Sequence, residues 1–539
     1  MASAEFEAAV YREEAVLVSD AETGRELWHR RCRTTPDRPF LHACGRSWTV
    51  AEFDEAQRRF AGGLARLGVG RGDRVLLGLS NRPETLMLLF AVQELGVVAI
   101  PLQGELTFEE LAFRITHSRG TVLVADGPVS GLVAGRLREM PALRAVVLEE
   151  VPAQLETGGA TVGTLADLGA ADPTAPPDLP GHSDRDPAMV LYTSGSTGRP
   201  KGVVLGAGVF PSAGRAFVEH FGLRESDGFF LPLTLGHAIG ALVAPAIATW
   251  SGGSLTLVDR FSPSRFWEQV AETGATISIL FPTHLNLLLE TAASAPPKGA
   301  TTMRNIITHV WMEPFRERFG VELSTVWGMT ETGALCSGSE PGYRGQWEGY
   351  VGTPMAGVEI GVFDEDLRRL GPEEVGEIAL RHDQVMLGYL DDPEATAATL
   401  VDGWVRSGDY GEVDAEGRLF FRGRLKNMIK RSGENVSPEE VENVLVEHPD
   451  VVECLVFGVP DPIRTEEVAA VVVTRTDVAP EAVLEFAGER LSRLKLPRYV
   501  VVDREPLARL GNGKIDRPGI KRGFDAAGAW DRQSTRAAR

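Results

Sequence analysis

Residues 192–202 read YTSGSTGRPKG, and seven of these eleven are Gly, Ser or Thr. No other stretch limits so tightly what the chain can build. It follows AMVLY (Ala188–Tyr192), a short apolar run of strand type. Glycine tolerates positive φ and lets backbone N–H groups approach a ligand closely. The Ser and Thr hydroxyls add donors, and Lys201 adds a full positive charge. Many donors, one cation and little bulk suit a polyphosphate. A flexible Gly/Ser connector is the competing reading, but linkers rarely follow a buried strand directly and close on Pro-Lys-Gly. The Walker pattern needs Gly-Lys-Ser/Thr, whereas Pro200 and Gly202 flank Lys201. The dinucleotide pattern G-x-G-x-x-G also fails, because Gly206 and Gly208 lead to Pro211. The stretch reads as a phosphate loop of another kind.

The surrounding chain has 539 residues, too many for one compact core, so at least two domains are expected. Strand and helix patterns alternate through the first third. GDRVLLGLSN (72–81) reads as a strand ending in a turn. PETLMLLFAVQELG (83–96) reads as a helix with Pro at its start and Gly at its end, and VVAIPL as the next strand. Alternation of this kind implies βαβ units and a mainly parallel sheet. Residues 172–187 are Pro-rich and polar, a surface crossing before the phosphate loop. Near Gly423 the composition shifts, and a compact α+β unit follows. In SPEE, Ser437 is placed to cap a helix, with Pro438 at its first position and Glu440 at its third.

Charge and cysteine usage exclude some classes. Fifty-five basic against 75 acidic residues give a net charge of −20, with no basic stripe of the kind nucleic-acid binders carry. No uninterrupted apolar run reaches membrane-span length, and the N-terminus lacks a hydrophobic signal core. Cys32, Cys44, Cys336 and Cys454 have no metal-ligand spacing and read as reduced thiols of a cytoplasmic protein.

TSGSTGRPKG resembles the signature loop of the adenylate-forming superfamily, which holds acyl-CoA synthetases, luciferases and nonribosomal adenylation domains. Further matches follow in order, from about Ala21 to Arg522. The resemblance implies a large α/β N-terminal domain with mainly parallel sheets (1–422) and a small mobile α+β lid (423–539), hinged near Lys426. It implies ATP-dependent adenylation of a small-molecule carboxylic acid, with Mg2+, followed by transfer to coenzyme A.

Site residues follow from the same resemblance. Thr193, Ser194, Gly195, Ser196, Thr197, Gly198 and Lys201 would cradle phosphate. In WGMTET (327–332), Trp327 would stack on adenine where the family usually has Tyr, Thr330 would touch the α-phosphate and Glu331 would ligate Mg2+. Taken alone, this segment could be a loop with a helix-capping Thr. In GWVRSGDYG (403–411), Asp409 would accept from both ribose hydroxyls, a task that suits a carboxylate, and Arg424 would also reach the ribose. Lys430, Gly433 and Glu434, in the 430–435 loop, would line the pantetheine tunnel; the competing reading is a solvated basic turn. Lys514 in LGNGKIDR would bridge the attacking carboxylate and the α-phosphate, although a lone exposed Lys is usually just solvated. His237 in LPLTLGHAIGAL would stand near the acyl carboxylate, with a core histidine as the competing reading.

Two departures leave the acid and the acceptor open. The backbone loop that usually holds adenine is shortened or lost before WGMTE, and a His that often follows the phosphate loop is absent from VVLGAGVF (203–210). Similar shortening, and the wording of NMIKRSGENVS, give the chain the flavour of the carnitine/crotonobetaine-CoA ligases. The alternatives are a natural-product enzyme with a different acid or acceptor (an ATP-dependent diazotase activating nitrite, for example), a stand-alone enzyme loading a carrier protein, and a non-catalytic binding protein of this fold.

Overall fold

A computed structural model describes residues 22–532, apart from 103–105, 152–154, 156, 174, 176, 194–199, 292–295, 335, 341, 425–426, 432–433, 462–463 and 510–514. The chain forms two compact units. One comprises residues up to 360 with 379–406 and 415–419; the other comprises 361–378, 407–414 and 420 onward.

In the large unit, β1 (Pro39–Ala43) and β2 (Arg46–Thr49) form a hairpin. The helix Val50–Arg66 follows. Thr49 caps it, the Glu52 carboxylate reaches back to the Thr49 N–H, and Val50, Phe53, Gln57, Phe60 and Leu64 recur at helical spacing on its buried face. Then come β3 (Arg74–Gly78), β4 (Val98–Pro101), β5 (Val122–Ala125), β6 (Ala145–Leu148), β7 (Thr161–Thr164), β8 (Pro187–Thr193) and β9 (Lys201–Gly206). These form a sheet in the order β9-β8-β4-β3-β5-β6-β7, parallel from β8 to β7 and antiparallel at β8–β9. The expected helix over 83–96 spans Pro83–Glu94 and is buried almost all round.

A second sheet takes β10 (Gly228–Leu231), β11 (Ser254–Leu257), β12 (Ile277–Ile279), β13 (Asn305–Thr308), β14 (Glu322–Trp327), β15 (Ser337–Gly338) and β16 (Tyr350–Pro354). Its order is β16-β15-β14-β13-β12-β10-β11-β1-β2, and β14 through β1 are parallel. The strands are short apolar runs because both faces are covered. Leu76, Ile100, Leu123 and Val146 pack the first sheet, and Phe230, Phe266, Ile306 and Phe315 the second.

Strand order reverses at β3 in one sheet and at β10 in the other, and such points open crevices at the strands' carboxyl ends. The following strands are β17 (Glu359–Phe363), β18 (Gly376–Arg381), β19 (Gly388–Tyr389), β20 (Leu400–Val401), β21 (Trp404–Val413) and β22 (Leu419–Arg424). β19 adds to the first sheet on β9.

The small unit holds β23 (Ile429–Arg431), β24 (Glu434–Val436), β25 (Val451–Asp461), β26 (Thr465–Thr474), β27 (Tyr499–Asp503) and β28 (Trp530–Asp531). They pair in the order β24-β23-β26-β27-β28, with β25 also on β26. The helix Pro438–Val446 starts as the sequence indicates: Ser437 Oγ accepts from Glu440 N at 3.2 Å. Val441, Leu445, Val468, Val472 and Val483 form this unit's core. The expected fold class, α/β with a large unit of mostly parallel sheet and a small C-terminal unit, is the one observed. No helix among the described residues is long and apolar enough to cross a membrane.

Candidate active site

β8 and β9 form a hairpin, and the Gly/Ser/Thr stretch is the sequence that joins them. β8 and β9 run antiparallel with Thr193 opposite Lys201 and Tyr192 opposite Gly202. Thr193 and Lys201 therefore flank that stretch, whereas Ser194, Gly195, Ser196, Thr197 and Gly198 lie outside the described residues. Gly202 is closely packed: a Cβ there would sit 3.1 Å from Val190 and 3.3 Å from Leu390.

Glu331 is brought to this hairpin by a different part of the chain. β14 ends at Trp327, which is buried, and a 3-10 turn over Thr330–Thr332 follows. Gly328 makes that turn possible, because a Cβ there would run into Cys336 Sγ. The Thr330 side chain is half-buried, whereas Glu331 is buried. The Tyr389 hydroxyl donates to Glu331 Oε1 at 2.8 Å. The Lys201 ammonium lies 4.7 Å from the centre of the same Tyr389 ring. Burial and the neighbouring Glu331 carboxylate push the Tyr389 phenol above its ordinary range, so the hydroxyl keeps its proton and donates.

This arrangement fits Mg2+. Glu331 is a hard oxygen donor whose Oε1 is engaged by Tyr389, so Oε2 is the atom a cation would take. A single carboxylate suits an ion that keeps most of its shell as water and phosphate oxygens.

A second group of side chains lines up at the carboxyl ends of β10, β12, β13 and β14, which are neighbours in one parallel sheet. They are His237, Phe281, His309 and Trp327. The His237 ring meets Phe281 edge-on at 6.2 Å, and Phe281 stacks on His309 at 5.4 Å with 13° between planes. The Ile239 N–H donates to His237 Nδ1 at 3.3 Å, which leaves the proton of a neutral ring on Nε2. A π-turn over Ile239–Val243 follows directly, a distortion frequent at functional sites. His309 Nδ1 donates to the Val326 carbonyl at 3.0 Å.

Asn81 ties the two switch points together. It lies just past β3, and its Nδ2 donates to the carbonyls of Leu233 at 2.9 Å and Val258 at 3.2 Å. Its Oδ1 accepts from Leu235 N at 2.8 Å. The segment leading to His237 is thus held by the other sheet. Sequence reasoning missed Asn81, Phe281, His309 and Tyr389. The signal for Phe281 and His309 was that each lies within two residues of the end of a short strand.

In the small unit, Asp409 and Arg424 form an ion pair: Arg424 Nε lies 2.9 Å from Asp409 Oδ1. Asp409 is buried and Arg424 half-exposed. Gly408, at φ +67°, lets its N–H donate to Glu377 Oε1 at 3.0 Å. Lys430 and Glu434 lie on the β23–β24 hairpin, opposite Asn435 and Arg431 respectively. Their side chains, like Lys426, Gly433 and Lys514, lie outside the described residues; Lys514 falls in the segment bracketed by the Arg509–Ile515 bridge.

Two family models cover most of the chain. Residues 28–390 match the AMP-binding enzyme family, and 440–514 match the AMP-binding enzyme C-terminal domain. The chain belongs to this family of adenylate-forming enzymes. It is 31% identical over 515 residues to a crotonobetaine/carnitine–CoA ligase of Salmonella arizonae, covering 92% of this chain and 98% of that protein. Among solved structures, o-succinylbenzoate CoA synthetase from Bacillus subtilis, bound to its acyl-adenylate intermediate, aligns with TM-score 0.80 and 26% identity over 93% of this chain and 98% of that one. The amide bond synthetase McbA from Marinactinospora thermotolerans aligns with TM-score 0.80 and 27% identity over 93% and 100%.

Proposed function

We propose that the protein activates a carboxylic acid with ATP and passes the acyl group to coenzyme A. The observation that carries this reading is the Lys201–Tyr389–Glu331 arrangement at the β8–β9 hairpin, which offers a cation and a hard oxygen donor to one polyphosphate. In the first step a carboxylate oxygen attacks the α-phosphorus of ATP. The bond from that phosphorus to the bridging oxygen breaks, and pyrophosphate leaves. In the second, the coenzyme A sulfur attacks the acyl carbon, the bond to AMP breaks, and the thiol proton passes to solvent.

Residues 193–198 and Lys201 hold the phosphates, and Thr330 the α-phosphate. Trp327 stacks on adenine, while Asp409 and Arg424 bind the ribose. His237 donates to the acid's carboxylate and so helps to align it opposite the departing pyrophosphate. Lys514 neutralises charge as it develops between carboxylate and phosphate. Mg2+ held by Glu331 supplies further neutralisation of the phosphate oxygens. Lys430, Gly433 and Glu434 contact coenzyme A. We place the functional boundary at 422/423 with a hinge at Lys426, so that the lid presents Lys514 for the first step and residues 430–435 for the second.

A second reading keeps the first step and delivers the acyl group to an amine; the likeness to an amide bond synthetase favours it. Pyrophosphate release across a panel of acids, with and without coenzyme A and with product analysis, separates the two. A coenzyme A thioester is expected. Acid-dependent pyrophosphate release that yields an amide and no thioester would replace this reading with the second.

A further inference from the structure

The proposed function leaves Tyr389 unassigned, although it touches two of the residues that reading depends on. Its segment is fastened to both. Tyr389 and Gly388 pair with Val203 and Val204 of β9, and the N–H groups of Leu387 and Leu390 donate to Val204 and Gly202 at 2.8 Å. Met386 N donates to the Glu331 carbonyl at 2.8 Å. Thr396 Oγ1 accepts from Tyr389 N at 2.9 Å. Gly388, at φ +144°, lets Thr396 close in, for a Cβ there would lie 3.0 Å from its Cγ2. A two-residue strand is thus stitched to the strand bearing Lys201 and to the turn bearing Glu331.

The side chain then divides its work. The hydroxyl occupies one oxygen of the Glu331 carboxylate and fixes its orientation. The ring face holds the Lys201 ammonium by a cation–π contact. Without this spacer, ammonium and carboxylate would be drawn into an ion pair that spends the charge both should offer a ligand. Among the described residues no such pair joins them.

We infer that Tyr389 is a positioning residue of the nucleotide site, its hydroxyl presenting Glu331 to the metal through one oxygen and its ring presenting Lys201 to phosphate. The inference rests on the reading of Glu331 and Lys201 given above. Because the two tasks use different parts of the side chain, two variants separate them. Mn2+ binding is measured by electron paramagnetic resonance in the presence of α,β-methylene-ATP. Binding of the same analogue without metal, in a chelator, is measured by calorimetry.

Tyr389→Phe should weaken Mn2+ about tenfold, the loss of one hydrogen bond to a charged group, and leave metal-free analogue binding within twofold. Tyr389→Leu should weaken both. Thermal melting of each variant shows whether the fold is kept. Unchanged Mn2+ affinity in Tyr389→Phe, or equal loss of both bindings in that variant, overturns the inference. Glu331→Gln tells this failure from that of the underlying reading. If Glu331→Gln binds Mn2+ as the wild type does, Glu331 is not the metal ligand. If it loses Mn2+ while Tyr389→Phe does not, only the role of Tyr389 falls.

Discussion

Two encounters of opposite charge in this protein are solved in opposite ways. In the large unit, Lys201 and Glu331 are held by a phenol, the ammonium on its face and the carboxylate on its hydroxyl. In the small unit, Arg431 and Glu467 meet directly at 2.6 Å, with 2% and 0% of their side chains exposed. Glu467 also faces Arg464 at 3.2 Å and Arg498 at 3.8 Å, while Arg431 donates to the Leu494 and Leu496 carbonyls. The second arrangement uses its charge internally; burial even presses the Arg431 guanidinium below its ordinary range. On the function proposed above, the first keeps its charge for a ligand. Burial of a charge therefore does not mark a site; what matters is whether its partners exhaust it.

The sharpest way to break this comparison is to open the closed pair. Glu467→Ala should cost the small unit about 3–5 kcal/mol, because it strands a buried guanidinium, while replacing both partners by Arg431→Met and Glu467→Leu should cost far less. Denaturant unfolding of the two variants measures this. A loss below 1 kcal/mol in Glu467→Ala would mean that the pair is not closed as described.

The next effect tests a buried group in the large unit that, like Arg431, serves the fold. His382 Nε2 donates to the Thr332 carbonyl at 3.1 Å, and its Nδ1 accepts from Gln384 N at 3.1 Å. Both nitrogens are satisfied only in the neutral ring, and desolvation pushes its pKa down to about 4. The unfolded chain takes the proton first, near 6.5. Stability from this group is thus complete above about pH 6.5 and is lost as pH falls toward 4, by about 3 kcal/mol at most. His382→Gln can make both hydrogen bonds without titrating. Its denaturation midpoint should fall less steeply over that window than the wild type's; parallel curves would contradict the assignment.

Smaller effects sharpen the site side of the comparison. Trp327→Ala should raise the Michaelis constant for ATP about tenfold, as expected for a lost base–aromatic stack, and move that of the acid less. The reverse pattern would assign Trp327 to the acyl pocket. Asn81→Ala should lower kcat/KM for the acid by about tenfold or less, since one residue's hydrogen bonds to the His237 segment are lost, with the ATP constant nearly unchanged. An equal rise in both constants would show that Asn81 supports the whole unit.

Local signals carried much of the fold. The strand 72–81, the helix starting at Pro83, the parallel alternation and the Ser437 cap all depend on neighbours in sequence, and all are present. Thr193 and Lys201 are paired across β8 and β9, and Asp409 and Arg424 meet, but neither contact was legible as a pairing in the sequence. Tyr389 was illegible because a Gly-Tyr pair has no periodicity; its meaning arises from pairing with a strand far away in the chain. Phe281 and His309 became neighbours only once β12 and β13 were aligned. The competing reading of 430–435, a solvated basic turn, fails at Arg431, whose side chain is among the largest fully buried ones because its partner Glu467 lies on another strand.

The most direct test of the account is exchange of labelled pyrophosphate into ATP, measured over a panel of carboxylic acids without coenzyme A. Adenylation is reversible, so the wild type should exchange label in the presence of at least one acid and not in its absence. Glu331→Gln should slow that exchange about a hundredfold or more, the scale expected when a group that stabilises developing charge is removed. Exchange in Glu331→Gln at the wild-type rate, or wild-type exchange that does not depend on any acid, would contradict the account.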